Sequence, residues 1–214
     1  QAEHSNLQHR PVGLGVMGFQ EALYQQGLAY ASKEAIQFAD TSMELISYYA
    51  IEASILLAKE RGRYKSYTGS LWDQGVLPID SIERLKATRG KMFKQDQSMQ
   101  LDWAPLRAQL KAHGMRNSNV LAIAPTATIS NICGVSQSIE PTYQNLFVKS
   151  NMSGEFTVSN HYLVAALKEL DLWDESMLND IKYQDGSVQN VARIPDSLKA
   201  LFSTAFELDP ECLV

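Results

Sequence analysis

The sequence predicts a helix-rich α/β fold, and three observations carry that expectation. An apolar periodicity of three and four residues runs through residues 32–62, a short continuous apolar run fills residues 119–124, and shorter amphipathic stretches alternate with turn residues. The chain has 214 residues, 45% of them hydrophobic and 20% charged. That is enough to bury a core as one domain or as two small ones. We see no internal repeat, low-complexity tract or linker.

Taken in order, the polar start leads to Arg10-Pro-Val-Gly-Leu-Gly-Val-Met-Gly18, a glycine-rich run before a short helix over 19–26 that stops at Gly27. The clearest element follows. Ser32 is the N-cap and Gly62 the stop of a helix of about 30 residues, roughly 45 Å long at 1.5 Å per residue. Its heptad line is Ile36, Ala39, Met43, Ile46, Ala50, Ala53 and Leu57, and Phe38, Leu45, Ile51, Ile55 and Leu56 widen it. A stripe that wide belongs to a helix buried in a larger fold, with layers on more than one side, rather than to a coiled coil.

Residues 63–80 are aromatic and turn-rich, as in an ordered loop, and residues 81–113 read as one or two helices. The run 119–124 ends at Pro125 and reads as a strand covered on both faces. Further strands are expected at 145–149 and 156–158. Asn160 caps a helix to Leu170, and helices over 175–183 and 197–207 follow, the last introduced by Pro195-Asp196.

Composition excludes several functions. Nineteen Lys and Arg against 24 Asp and Glu give a net charge of -5, with no basic run to track a nucleic-acid backbone. No apolar stretch reaches the roughly 20 residues that cross a bilayer, and the start lacks a signal-peptide core, so neither nucleic acid nor membrane is an expected partner and a cytoplasmic location is. Cys133 and Cys212 form no CxxC pattern and suggest reduced thiols. The lack of an initiator Met and the stop at Pro210-Glu-Cys-Leu-Val214 lead us to expect a piece of something longer.

Three stretches compete as sites. Gly13-x-Gly15-x-x-Gly18 matches the dinucleotide fingerprint, but Gln8-His9-Arg10-Pro11 is no apolar strand and the nearest acid, Asp40, falls within the long helix. A tight backbone turn is the better reading. The loop Pro125-Thr-Ala-Thr-Ile-Ser130-Asn131 offers small residues, three hydroxyls and a possible helix start, which is phosphate-cradle chemistry without a lysine. An ordinary strand-to-helix connection with Thr as N-cap stays open beside it. Cys133, between Ile132 and Gly134, is expected to be a buried, inert thiol. His4, His9, His113 and His161 lack ligand spacing, Tyr48-Tyr49 reads as core packing, and Glu140-Pro141 as a turn.

Several words resemble, in order, the large (alpha, catalytic) subunit of ribonucleotide reductase. They are Arg10-Pro-Val-Gly-Leu-Gly-Val-Met-Gly18, Glu52-Ala-Ser54 with Leu57-Ala-Lys-Glu60, Met115-Arg-Asn-Ser118, Ala124-Pro-Thr-Ala-Thr-Ile-Ser130, Ser138-Ile-Glu-Pro141 and Ser153-Gly-Glu-Phe156. The resemblance implies that residues 1–214 are part of a ten-stranded α/β barrel, with the long helix buried. The loop would bind the diphosphate of a ribonucleoside diphosphate through Pro125, Thr126, Ala127, Thr128 and Ile129, with Ser130 a further candidate. The family's Asn-x-Cys-x-Glu radical loop, reducing cysteine pair, relay tyrosines, C-terminal CxxC tail and N-terminal effector domain have no counterpart in this sequence.

By the same resemblance, no catalytic residue, metal ligand or bound cofactor lies in this stretch, which is silent alone. The full enzyme would need a small, radical-generating, metal-containing beta subunit, thioredoxin or glutaredoxin as reductant, nucleotide effectors and a homodimer of large subunits. The wording favours the two-subunit, diphosphate-using class I over the cobalamin-dependent class. A stand-alone nucleotide-binding or subunit-interaction module is the alternative. A cut barrel should also self-associate or shield its exposed edges.

Overall fold

A computed structural model describes residues 1–90, 97–152 and 154–213. Residues 91–96, within the helical stretch expected over 81–113, and Ser153 lie outside the described residues. The chain forms two compact units, one of Gln1–Gly15 and Phe38–Ala124, the other of Val16–Gln37 and Pro125–Val214.

In the first unit, α1 (Ala2–His9) is a helix the sequence did not announce, because it buries no residue and has no apolar period to read. α3 (Lys33–Arg61) follows α2 (Phe19–Gln26) and has the expected span, its first five residues counting with the second unit. The Ser32 hydroxyl accepts from the Ala35 amide at 3.1 Å, and Gly62, at φ 82°, donates to Ala58 O at 2.8 Å. Cap and stop are therefore those anticipated.

The buried face of α3 is not the heptad line. Ile51, Ser54, Ile55 and Ala58, spaced by three and four, are buried, whereas Ile36 is 55% and Leu56 52% exposed. The cover decides this: Tyr64, Tyr67 and Leu77 of the following loop, with Trp103, Leu106 and Leu110, pack on that face. A second covering layer, which the width of the stripe called for, is not supplied among the described residues. Tyr48 packs edge-on against Trp103 at 5.2 Å, as core packing requires, but Tyr49 is 56% exposed. α4 (Asp80–Arg89) and α5 (Ala104–His113) complete the unit, and Arg107 grips the Asp80 carboxylate with two bonds of 2.7 and 2.8 Å.

The run 119–124 is not a strand covered on both faces. It makes one parallel bridge, Leu14 with Leu121, flanked by Val12 N to Asn119 O and Ala122 N to Leu14 O at 2.9 and 3.0 Å. Val120 is buried, but Ile123 is 48% exposed. The pairing stops where the glycine run turns away, and among the described residues no second neighbour flanks it. The glycines serve this close approach: a Cβ on Gly15 would sit 2.5 Å from Ala122 O. That supports the backbone-turn reading of the Gly-x-Gly-x-x-Gly match.

The second unit holds α2, α6 (Ala127–Cys133), the antiparallel hairpin β1 (Leu146–Asn151) and β2 (Gly154–Ser159), and helices α7 (His161–Glu169), α8 (Glu175–Tyr183) and α9 (Asp196–Leu201). Leu163, Leu167, Met177, Ile181, Val188 and Phe202 form its core. The Asn160 side chain accepts from Tyr162 N, the anticipated cap. α9 ends six residues before the expected limit because Phe202 turns into the core, and the Glu207 carboxylate takes the Thr204 amide at 2.7 Å in a turn.

Asp174 caps α8 by accepting from Met177 N at 2.7 Å and forms two bonds to Arg193 at 3.0 and 2.6 Å. The Arg193 guanidinium first, and the Met177 amide second, hold its carboxyl down at about 2. A depressed carboxylate stabilises the fold above its unfolded value of about 4, and that contribution is lost as pH falls toward the folded value. NMR titration should give Asp174 a midpoint near 2, and Asp174→Asn should flatten the acid limb of the stability profile between about 4 and about 2. A midpoint at the ordinary value would contradict the pairing.

Candidate functional site

The site begins where the chain passes Pro125 and enters α6 with Thr126 at the N-cap (φ -116°, ψ 34°). The first bond of the helix runs from Ser130 N to Thr126 O at 2.9 Å. The amides of Ala127, Thr128 and Ile129 precede it, and helix geometry gives such leading amides no acceptor within the helix. Pro125, Ala127, Thr128 and Ile129 are exposed and Thr126 is half-buried. Three donors at the positive end of a short helix, beside an exposed Thr128, can receive an anion.

Thr126 occupies the cap position without capping. Its side chain makes no bond to its own helix; instead Oγ1 accepts from the Ser138 amide at 2.8 Å. Ser138 is 3% exposed and sits at φ 46°, the left-handed region that favours glycine. The segment around it is tied to α2. Gly18 N donates to Ser136 O at 3.0 Å and Phe19 N to Ser138 O at 3.4 Å, while the Ser136 hydroxyl donates to Glu21 Oε2 at 2.5 Å. The Tyr30 hydroxyl donates to Ile139 O at 2.6 Å. Burial, with the Glu140 carboxylate and Cys212 nearby, pushes that hydroxyl up to about 12, so it remains a donor across the neutral range.

Pro125, Ala127, Thr128 and Ile129 are thus exposed together at the start of α6, with Thr126 half-buried among them. Ser130 does not join them: the residue is fully buried and its hydroxyl has no hydrogen-bond partner among the described residues. Cys133 is a correction of another kind. It is exposed at the last turn of α6, not buried, because the short helix turns its apolar-flanked end outward, with Ile132 at 79% exposure. Asn131 Nδ2 donates back to Ala127 O at 2.6 Å, stiffening the helix start. A groove of about 380 Å³ lies along Ser130, Asn131, Ser136, Glu140, Thr142 and Tyr143, and none of residues 125–129 lines it.

Sequence reasoning missed Glu21, Ser136 and the role of Ser138. One signal was available: Glu21 stands three residues after Gly18, the spacing at which a carboxylate serves a helix start.

A family model described as "Ribonucleotide reductase, barrel domain" matches residues 1–214. The chain belongs to the ribonucleotide reductase barrel-domain family. This barrel-domain chain is 59% identical over its whole length to the ribonucleoside-diphosphate reductase subunit alpha of Chlamydia muridarum, of which it covers 20%. It is 36% identical to the large chain of Schizosaccharomyces pombe, covering 25% of that protein. The alpha subunit of the class Id ribonucleotide reductase of Actinobacillus ureae superposes with a TM-score of 0.65 at 26% identity, over 94% of this chain and 29% of that one. The barrel-domain chain therefore spans about a fifth to a quarter of these relatives' lengths. The family resemblance and the helix-rich α/β class read from the sequence both hold.

Thr126→Val keeps the shape of the side chain and removes the acceptor, leaving the buried Ser138 N–H unmatched. The expected loss is about 1–3 kcal/mol of stability, recovered by Thr126→Ser, and chemical denaturation of the three proteins checks it. Equal stability of all three would remove the bond from the account of the loop.

Proposed function

We propose that this chain supplies the substrate diphosphate-binding loop of a class I ribonucleoside-diphosphate reductase large subunit. Residues 1–214 are then one stretch of its barrel domain, contributing to the reduction of ribonucleotides to deoxyribonucleotides. The observation that carries the reading is the uncapped start of α6, where the Ala127, Thr128 and Ile129 amides lie ahead of the first helical bond. Pro125 fixes the approach of the chain, Thr126 and Thr128 supply hydroxyls, and the small Ala127 lets a phosphate come close to the backbone. The diphosphate is favoured over a cobalamin-dependent reductase's substrate by the relatives, which are named ribonucleoside-diphosphate reductases.

The radical chemistry and its reductant belong to parts of the enzyme beyond these residues. We infer that the complete subunit works in the cytoplasm as a homodimer with a smaller radical-generating, metal-containing subunit. Thioredoxin or glutaredoxin restores its thiols, and nucleotide effectors regulate it. The segment alone is inactive. No helix among the described residues is long and apolar enough to cross a membrane.

In the complete large subunit assayed with its partner, Thr128→Val should raise KM for a ribonucleoside diphosphate by about three- to tenfold, the loss of one hydrogen bond to a charged group discounted for exposure. The value of kcat should stay within about twofold, because the bond is made in ground and transition states alike. An unchanged KM would remove the loop from the substrate site.

A further inference from the structure

A threonine at an N-cap ordinarily turns its hydroxyl onto the amide two or three residues on, satisfying the donors at the helix start. In this protein that would occupy the Thr128 or Ile129 amide, the same group an anion needs. The Ser138 amide prevents it by holding Thr126 Oγ1 at 2.8 Å. Ser138 keeps that position in spite of its left-handed φ of 46°, a conformation that persists in a serine only when its surroundings over-determine it. The surroundings are three bonds from α2 and one from Tyr30. Of these, the link from the Ser136 hydroxyl to Glu21 Oε2 is charge-assisted. Gly18, at φ 76°, lets the start of α2 fold against this segment, since a Cβ there would lie 3.2 Å from Val135 Cβ.

We propose that Glu21 is a positioning residue for the diphosphate loop: through Ser136 and Ser138 it keeps the Thr126 hydroxyl off its own helix, so that α6 stays uncapped and open to phosphate. The inference rests on the proposed role of the loop. It adds a competition: when the Glu21 anchor is lost, Ser138 relaxes, Thr126 rotates to cap α6, and substrate phosphate must displace it. Glu21 touches no substrate in this scheme, and its loss acts on binding.

The test uses the complete large subunit with its radical-generating partner. Glu21→Leu should raise KM for a ribonucleoside diphosphate about fivefold with kcat within about twofold, the size of a self-capping bond set against the ligand. Glu21→Gln, whose amide oxygen still accepts from Ser136, should return KM to within about twofold of the parent. In a Thr126→Ala background, where no hydroxyl exists to cap the helix, Glu21→Leu should have no further effect on KM, a non-additivity that a general loss of packing does not produce. Ser136→Ala breaks the same bond by a smaller change and should reproduce Glu21→Leu, which covers a poorly folding Glu21→Leu protein. The proposal is overturned if KM is unmoved by both, if Glu21→Gln behaves like Glu21→Leu, or if the effects of Glu21→Leu and Thr126→Ala add in full. Thr128→Val separates the failures. If it raises KM while Glu21→Leu and Ser136→Ala do not, only the positioning role falls; if it too leaves KM unchanged, the phosphate loop itself falls and this inference with it.

Discussion

A buried peptide N–H must find an acceptor, and at Ser138 the acceptor is a threonine hydroxyl from twelve residues earlier. The geometry of the loop depends on that single bond. It draws the Thr126 side chain away from the helix it begins and leaves a seven-residue helix without a side-chain cap. It also ties the loop to a segment that α2 holds at Gly18, Phe19 and Glu21. In isolation an uncapped helix start is a deficit of about 1 kcal/mol. Under the proposed function, the same unsatisfied donors are the groups that would receive the diphosphate.

The two units stabilise themselves by different means. In the first, one face of α3 is covered by an aromatic loop whose polar atoms are matched inward, as when Trp72 Nε1 donates to Ser118 O at 2.8 Å. In the second, short helices pack apolar faces around Leu167, Met177 and Phe202, with their starts capped by Asn160 and Asp174. The buried Asn145 joins them by donating to Phe202 O at 2.8 Å. The first relies on one long helix and the second on well-matched ends.

Local signals were legible in the sequence wherever the deciding residues are neighbours. Ser32 and Gly62 bound the long helix and Asn160 caps α7, because caps are settled within four residues, and the strands expected at 145–149 and 156–158 fall on β1 and β2. Which face of α3 is buried was not legible. A stripe that wide offers two faces, and the choice belongs to Tyr64, Tyr67 and Leu106, whose approach no local pattern encodes. The run 119–124 was read as a two-faced strand because composition cannot count a strand's neighbours. In the loop, the residue types left a phosphate cradle and an ordinary strand-to-helix connection both open, and the bond that sets the loop's conformation joins Thr126 to a serine in an unusual backbone state, where nothing in the letter Ser signals a positive φ.

The most direct measurement is a crystal structure of the complete large subunit with a ribonucleoside diphosphate bound. Phosphate oxygens within about 3.2 Å of the Ala127, Thr128 and Ile129 amides, with the Thr126 hydroxyl still on Ser138 N, is the expected result. A diphosphate seated away from this loop, or one bound while the Thr126 hydroxyl caps its own helix, would contradict it.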